Sequence, residues 1–128
     1  MSQPYLSIVI PAYNESINFR AKVLNPVVKY LVKQKYSWEV LFVDDGSIDK
    51  THILLEEFCQ KHNGFRLIKI EHGGKASAVT AGVLAASGQV ILFTDFDQST
   101  PIYEVSKFIT RHQQGEDVVT GIRTKTQN

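Results

Sequence analysis

Two aspartates separated by one residue, Asp95-Phe96-Asp97, follow directly on the apolar run of "VILFTDFDQSTP" (90–101). Carboxylates at the border of a core carry a desolvation cost unless something pairs with them. A hard divalent cation is one such partner. Mg²⁺ takes few protein carboxylates and completes its shell with phosphate oxygens and water, so the pair suits a metal–diphosphate complex in which one aspartate takes a ribose hydroxyl. The competing reading is that Asp97 and Ser99 only cap a helix opened by Pro101. The triplet alone leaves both open.

Other polar and special residues also follow apolar runs. "YLSIVI" (5–10) leads into Pro11-Ala12-Tyr13-Asn14-Glu15, "WEVLFV" (38–43) into Asp44-Asp45-Gly46-Ser47, and "FRLIKI" (65–70) into "EHGGK" (71–75). Tyr13 offers a flat face for a planar ligand, or packs in a turn. Asp44 and Asp45 are adjacent, so in extended chain they point opposite ways; one can meet a ligand while the other caps Gly46-Ser47, unless both cap. Lys75, at a Gly-Gly turn, is either a ligand contact or a solvated lysine. His72 reads as a loop histidine, since no His or Cys is spaced to join it on a metal.

The elements between these runs are helix-sized. A helical stretch is expected from about Glu15 to Lys35, capped by Asn14 or Ser16 and broken near Asn25 by Pro26. Ser47 or Asp49 caps the next helix, whose apolar face comprises Ile53, Leu54, Phe58 and Leu55. "FRLIKI" alternates as a half-exposed strand near a sheet edge does. "KASAVTAGVLAAS" (75–87) is small-residue rich, so its helix can lie close to the sheet. "QVILFT" (89–94) reads as a central strand buried on both faces. A last helix runs from Pro101 to about Gln114, and "DVVTG" (117–121) is a fifth strand. Such alternation implies an α/β fold with an open, mostly parallel sheet and right-handed crossovers. Ligands bind such sheets beyond the C-terminal strand ends, where the strand order reverses. Every polar cluster named above sits on that rim.

Two common phosphate-binding loops are absent. Gly74-Lys75 is followed by Ala76 and preceded by Lys69 where a Walker A loop needs its first Gly, and "PAYNES" stands where a dinucleotide fingerprint would lie. The blocks "LSIVIPAYNE", "VLFVDDGSIDKT", "GGKASAVTAG" and "VILFTDFDQSTP", in this order and at helix-sized gaps, resemble the nucleotide-binding half of a family 2 glycosyltransferase with the GT-A fold. The resemblance spans nearly the whole chain and is strongest to the polyprenyl-phosphate sugar synthases. It implies that Pro11, Tyr13 and Glu15 line a nucleoside pocket, and that Val43 and Asp45 hold the base, Asp45 accepting an imide N–H. It also implies Asp95 and Phe96 at the ribose and diphosphate, and Mg²⁺ or Mn²⁺ on Asp97 with Asp95. Arg123 falls where such enzymes place an arginine against donor phosphates, and Asp97 with Arg123 would stabilise the leaving group. Lys75 matches the "GK" of the glucosyltransferase branch. Phe96 departs from the small residue many relatives carry, and is expected to reshape that part of the pocket. Gln98-Ser99 replaces the leucine-containing sequence of mannose synthases, which favours a UDP-sugar over GDP-mannose.

The implied reaction is sugar transfer from a nucleotide-diphosphate sugar to a polyprenyl or dolichyl phosphate. The 128 residues fit one domain, the N-terminal portion of a longer glycosyltransferase, expected to bind donor without completing transfer. Net charge is +1, with no basic stripe to suggest nucleic acid. The single Cys59 excludes an internal disulfide, and the N-terminus lacks a signal peptide's features. These point to the cytoplasm, or the cytoplasmic face of a membrane reached through other parts of a longer protein. A sheet edge after Val119 would be open to self-association. The rival readings are a non-catalytic nucleotide-binding module and a receiver-type signalling domain.

Overall fold

The computed structural model describes residues 3–115. β1 (Leu6–Ala12), β2 (Trp38–Asp45), β3 (Phe65–Ile70) and β4 (Val90–Phe93) form one parallel sheet in the order β3-β2-β1-β4. β1 and β2 occupy the middle because their residues are apolar on both faces: Leu6, Ile8 and Ile10 on one side, Val9 on the other, all fully buried. Chain direction and handedness then dictate the helices. Going from β1 to β2 to β3 the chain steps one way across the sheet; from β3 to β4 it steps back, so a crossover of unchanged hand lies on the opposite face.

The first face carries α1 (Ser16–Arg20), α2 (Asn25–Val32) and α3 (Thr51–Lys61), together with α5 (Val105–Gln113) after a short 3₁₀ turn at Ile102–Glu104. Val27, Leu31, Leu55, Phe58, Val105 and Ile109 meet Ile8, Ile10 and Phe42 there in the larger core. The second face is covered by α4 (Lys75–Ala85), packed on Val9 and Val43 through Ala78. A Cβ added at Gly82 would stand 2.3 Å from Val9 Cγ1 and 3.1 Å from Val43 Cγ2, so the small-residue composition does set how closely α4 approaches the sheet.

Several local expectations need correction. The break in the first helical stretch spans residues 21–24, with Lys22 at φ 63°. Pro26 therefore sits in the first turn of α2, where its missing N–H costs nothing. Neither Asn14 nor Ser16 caps α1. Asn14 Oδ1 instead accepts the Ile48 and Asp49 amides, and the Ser16 N–H donates to Asp49 Oδ2. Ile53 is 44% exposed while Leu55 is fully buried, because the inward stripe of α3 runs Thr51, Leu55, Phe58. Among the described residues β4 pairs only with β1, and Ile91 and Phe93 are half-buried rather than fully buried. Its apolar run is explained by Val90 and Leu92 entering the larger core while Ile91 and Phe93 pack against the smaller one. Among the described residues β3 is a sheet edge, as its alternation implied. The order β3-β2-β1-β4 also differs from the receiver arrangement, in which the first strand lies between the second and the third. The expected strand at 117–121 and Arg123 lie outside the described residues.

Candidate functional site

β1 is followed in space by β2 on one side and β4 on the other, so the strand order reverses between β1 and β4. Adjacent loops diverge at such a point and leave a crevice at the C-terminal strand ends. A cleft of about 370 Å³ lies there. Pro11, Tyr13 and Glu15 border it from the end of β1, Asp45 from β2, Lys75 from the start of α4, and Asp95, Phe96 and Asp97 from the end of β4. A second cavity, of about 350 Å³, opens between Phe19, Lys22 and Leu54, away from the paired aspartates.

Asp44 and Asp45 divide their work as opposite-pointing neighbours do. Asp44 Oδ1 accepts the Ser47 hydroxyl at 2.5 Å. Asp45 Oδ1 accepts the Gly73 amide at 2.8 Å and Oδ2 the Gly74 amide at 3.0 Å, which ties the loop ahead of α4 to the end of β2. His72 Nδ1 lies 3.0 Å from the same Oδ2 and 3.1 Å from the Asp45 carbonyl. Facing two acceptors, that nitrogen carries the ring proton. The His72 ring also stacks on Tyr13, with centroids 4.3 Å apart and planes inclined by 24°. Sequence patterns give no signal for this pair, because the two residues belong to loops joined only by the fold.

Asp95 and Asp97 are presented by a tight turn. The Gln98 amide donates to the Asp95 carbonyl, and Gln98 takes the left-handed φ of 58°, a strained setting for a residue with a Cβ. Its side-chain amide holds the turn through the Asp95 carbonyl and Thr94 Oγ1, at 2.8 and 3.1 Å. Phe96 borders the cleft, but its side chain is only 2% exposed and its ring lies 6.1 Å from that of Phe42. The bulk expected to reshape the pocket instead anchors the turn in the larger core. Asp95 is paired with Lys75, and Asp97 Oδ1 accepts the Ser99 amide at 3.0 Å, so the capping contact of Asp97 is present as well. Val43 contributes no side chain to the cleft; it is fully buried beneath α4 and supports Asp45 from within the sheet.

Glu15 adds a further acid. Burial raises its pKa above the ordinary value, and the charges of Asp97 and Asp49 push the same way, against hydrogen bonds from Asn18 and the Tyr13 backbone. Asp49 behaves oppositely. Burial disfavours its charge, but hydrogen bonds from Thr51 and Ser16 outweigh this and bring its pKa down to about 2. Asp49 thereby clamps the starts of α1 and α3 beside the cleft.

Among the described residues, no group of three or more His, Cys, Asp or Glu side chains is arranged to hold a metal alone. A Mg²⁺– or Mn²⁺–diphosphate complex does not need one, because phosphate oxygens and water supply most ligands. The donor set fits such a complex: two hard carboxylates on one turn, with Asp97 close enough to raise the Glu15 pKa.

The model of glycosyl transferase family 2 matches residues 7–128. The chain belongs to that family. It is 33% identical to a dolichyl-phosphate β-glucosyltransferase of Trichomonas vaginalis, over 95% of this chain and 40% of the relative. It is 36% identical to the dolichyl-phosphate β-glucosyltransferase of Saccharomyces cerevisiae, over 94% of this chain and 38% of the relative. The chain thus spans about 40% of the length of these curated relatives. Among solved structures, residues 1–349 of Staphylococcus aureus TarS in complex with UDP-GlcNAc superpose with a TM-score of 0.64 at 25% identity, over 90% of this chain and 37% of that TarS chain. A mannosyltransferase of Pyrobaculum calidifontis in complex with GDP-Man and Mn²⁺ gives 0.57 at 27% identity, over 76% and 28%. These are GT-A glycosyltransferases, and the family 2 fold is the open α/β sheet described above. No helix among the described residues is long and apolar enough to cross a membrane.

Proposed function

We propose that the cleft binds a nucleoside-diphosphate sugar, a UDP-sugar in preference to GDP-mannose, with Mg²⁺ or Mn²⁺ at Asp95 and Asp97, for transfer of the sugar to a polyprenyl or dolichyl phosphate. The observation that carries this reading is the convergence of Tyr13, Asp45, Lys75, Asp95 and Asp97 on one cleft at the reversal of strand order. The names of the relatives support the lipid-phosphate acceptor, and the two solved complexes support a nucleotide-sugar donor, one of them with Mn²⁺.

In this reading Pro11, Tyr13 and Glu15 border the nucleoside, Tyr13 offering its ring to the base. Asp45 accepts the imide N–H that uracil and guanine possess and that cytosine and adenine lack. Lys75 exchanges its contact with Asp95 for the donor phosphates, and Asp95 meets the ribose. Phe96 holds the turn in place from behind, and Arg123 is assigned to the donor phosphates by resemblance. A bound divalent cation would neutralise charge on the departing diphosphate. A phosphate acceptor is already an anionic nucleophile, so this cleft needs no strong general base.

Calorimetry with UDP, GDP, CDP and ADP, each with Mn²⁺, tests the reading. UDP is expected to bind tightest and CDP and ADP weakest. A buried acceptor left without its donor costs ~1–3 kcal/mol, so the preference for imide bases is about ten- to hundredfold. Equal affinity for all four nucleotides, or none for any, would refute it.

A further inference from the structure

The His72 imidazole makes, within the chain, the two contacts that the nucleotide reading assigns to a base. It is a flat ring lying on Tyr13 at 4.3 Å, a separation that leaves no room for a second ring between them. It also directs a ring N–H to Asp45 Oδ2 at 3.0 Å. A uracil stacked on Tyr13, with its imide N–H on Asp45, would present the same face and the same donor. Asp45 is held still for either partner, since the Gly73 and Gly74 amides occupy its other acceptor positions.

We propose that His72 is an internal occupant of the base subsite, which the nucleotide must displace to bind. The proposal rests on the nucleotide reading above. Two features make displacement local. The His72 backbone is packed on the end of β2: a Cβ at Gly46 would lie 2.7 Å from His72 N, and Gly46 takes a φ of 73°. The side chain, in contrast, is 54% exposed, so its ring can turn out toward solvent while the loop stays docked. The contact is therefore a competitor rather than a wall. Displacement costs every base the same, so a flat ring that cannot replace both the stack and the N–H binds too weakly to dislodge His72.

The test is UDP binding with Mn²⁺ to the natural chain, His72→Ala and His72→Phe, together with proton NMR of the His72 and Tyr13 rings. His72→Ala is expected to bind UDP roughly two- to tenfold more tightly, the scale of one aromatic stack. His72→Phe, which keeps a ring to lay on Tyr13 but has no N–H, should gain less. In the natural chain, ring-to-ring contacts between His72 and Tyr13 should be present without nucleotide and lost at saturating UDP. Weaker binding by His72→Ala at unchanged thermal unfolding would overturn the proposal, as would His72–Tyr13 contacts that persist with UDP bound; both leave the nucleotide reading standing. Absence of UDP binding to all three chains would overturn the nucleotide reading and this proposal with it.

Discussion

Asp45→Asn separates what this carboxylate does for the fold from what it does for a ligand. The substitution keeps the shape but replaces one acceptor oxygen by a donor amide. Asp45 accepts from Gly73 N through Oδ1 and from Gly74 N through Oδ2, so one amide necessarily loses its partner and faces an N–H group instead. The residue is only 3% exposed, so water cannot fully take over. A partly buried donor left unsatisfied costs toward the low end of ~1–3 kcal/mol, and the surviving bond loses its charge assistance, so about 2 kcal/mol is expected. For a chain of this size that is a fall in Tm of roughly 6–12 °C. Calorimetric unfolding measures the total, and hydrogen exchange at Gly73 and Gly74 locates it. Faster exchange should be confined to residues 72–75 and the first turn of α4. Unchanged Tm together with unchanged exchange at both glycines would refute the argument that Asp45 anchors this loop.

Gly82→Ala should destabilise the fold by about 1–2 kcal/mol in urea unfolding, because the new methyl overlaps Val9 by more than the ~1 kcal/mol gain in helix propensity can offset. Asp49 gives an acid limb of known sign: its folded pKa of about 2 lies below the ordinary 3.8, so its contribution is complete above pH 4 and is lost as pH falls from about 4 to about 2. At this partly exposed position that contribution is on the order of 1–2 kcal/mol, and Asp49→Asn should flatten the limb in a pH series of unfolding curves. Burial pushes the Cys59 thiol up to about 11, so in the native chain it should react with a thiol reagent at pH 8 far more slowly than in denaturant.

The sheet and the rim of the cleft were legible because both follow from local patterns. Ile8 and Ile10 alternate with Val9 along β1, and each polar cluster comes immediately after an apolar run, which in a parallel sheet puts them all at one end. The helix pattern also gave Leu55 and Phe58, though not the exposure of Ile53, since periodicity fixes which residues share a face but only packing decides how wide that face is. β4 shows a related effect: its run is apolar throughout because Val90 and Leu92 face the larger core and Ile91 and Phe93 the smaller one, yet only packing decides that the latter pair stays half-buried. The orientation of Phe96 depends on Phe42, 54 positions away in the chain, and the stacking of His72 on Tyr13 depends on loops from two different strands. Neither leaves a trace in spacing. Asp49, a cap for α3 by its position in the sequence, serves α1 and α3 at once, because β1 and β2 bring the two helix starts together.

The proposed donor site is one cleft, at the ends of β1 and β4, that takes a nucleoside diphosphate with a divalent cation. Paramagnetic broadening of backbone amides by Mn²⁺ in the presence of UDP measures the place directly. Broadening should centre on residues 95–98, extend to 13–15 and 73–75, and be greatly reduced in Asp97→Asn. Broadening centred on the second cavity, around Phe19, Lys22 and Leu54, or a pattern unchanged by Asp97→Asn, would contradict that assignment.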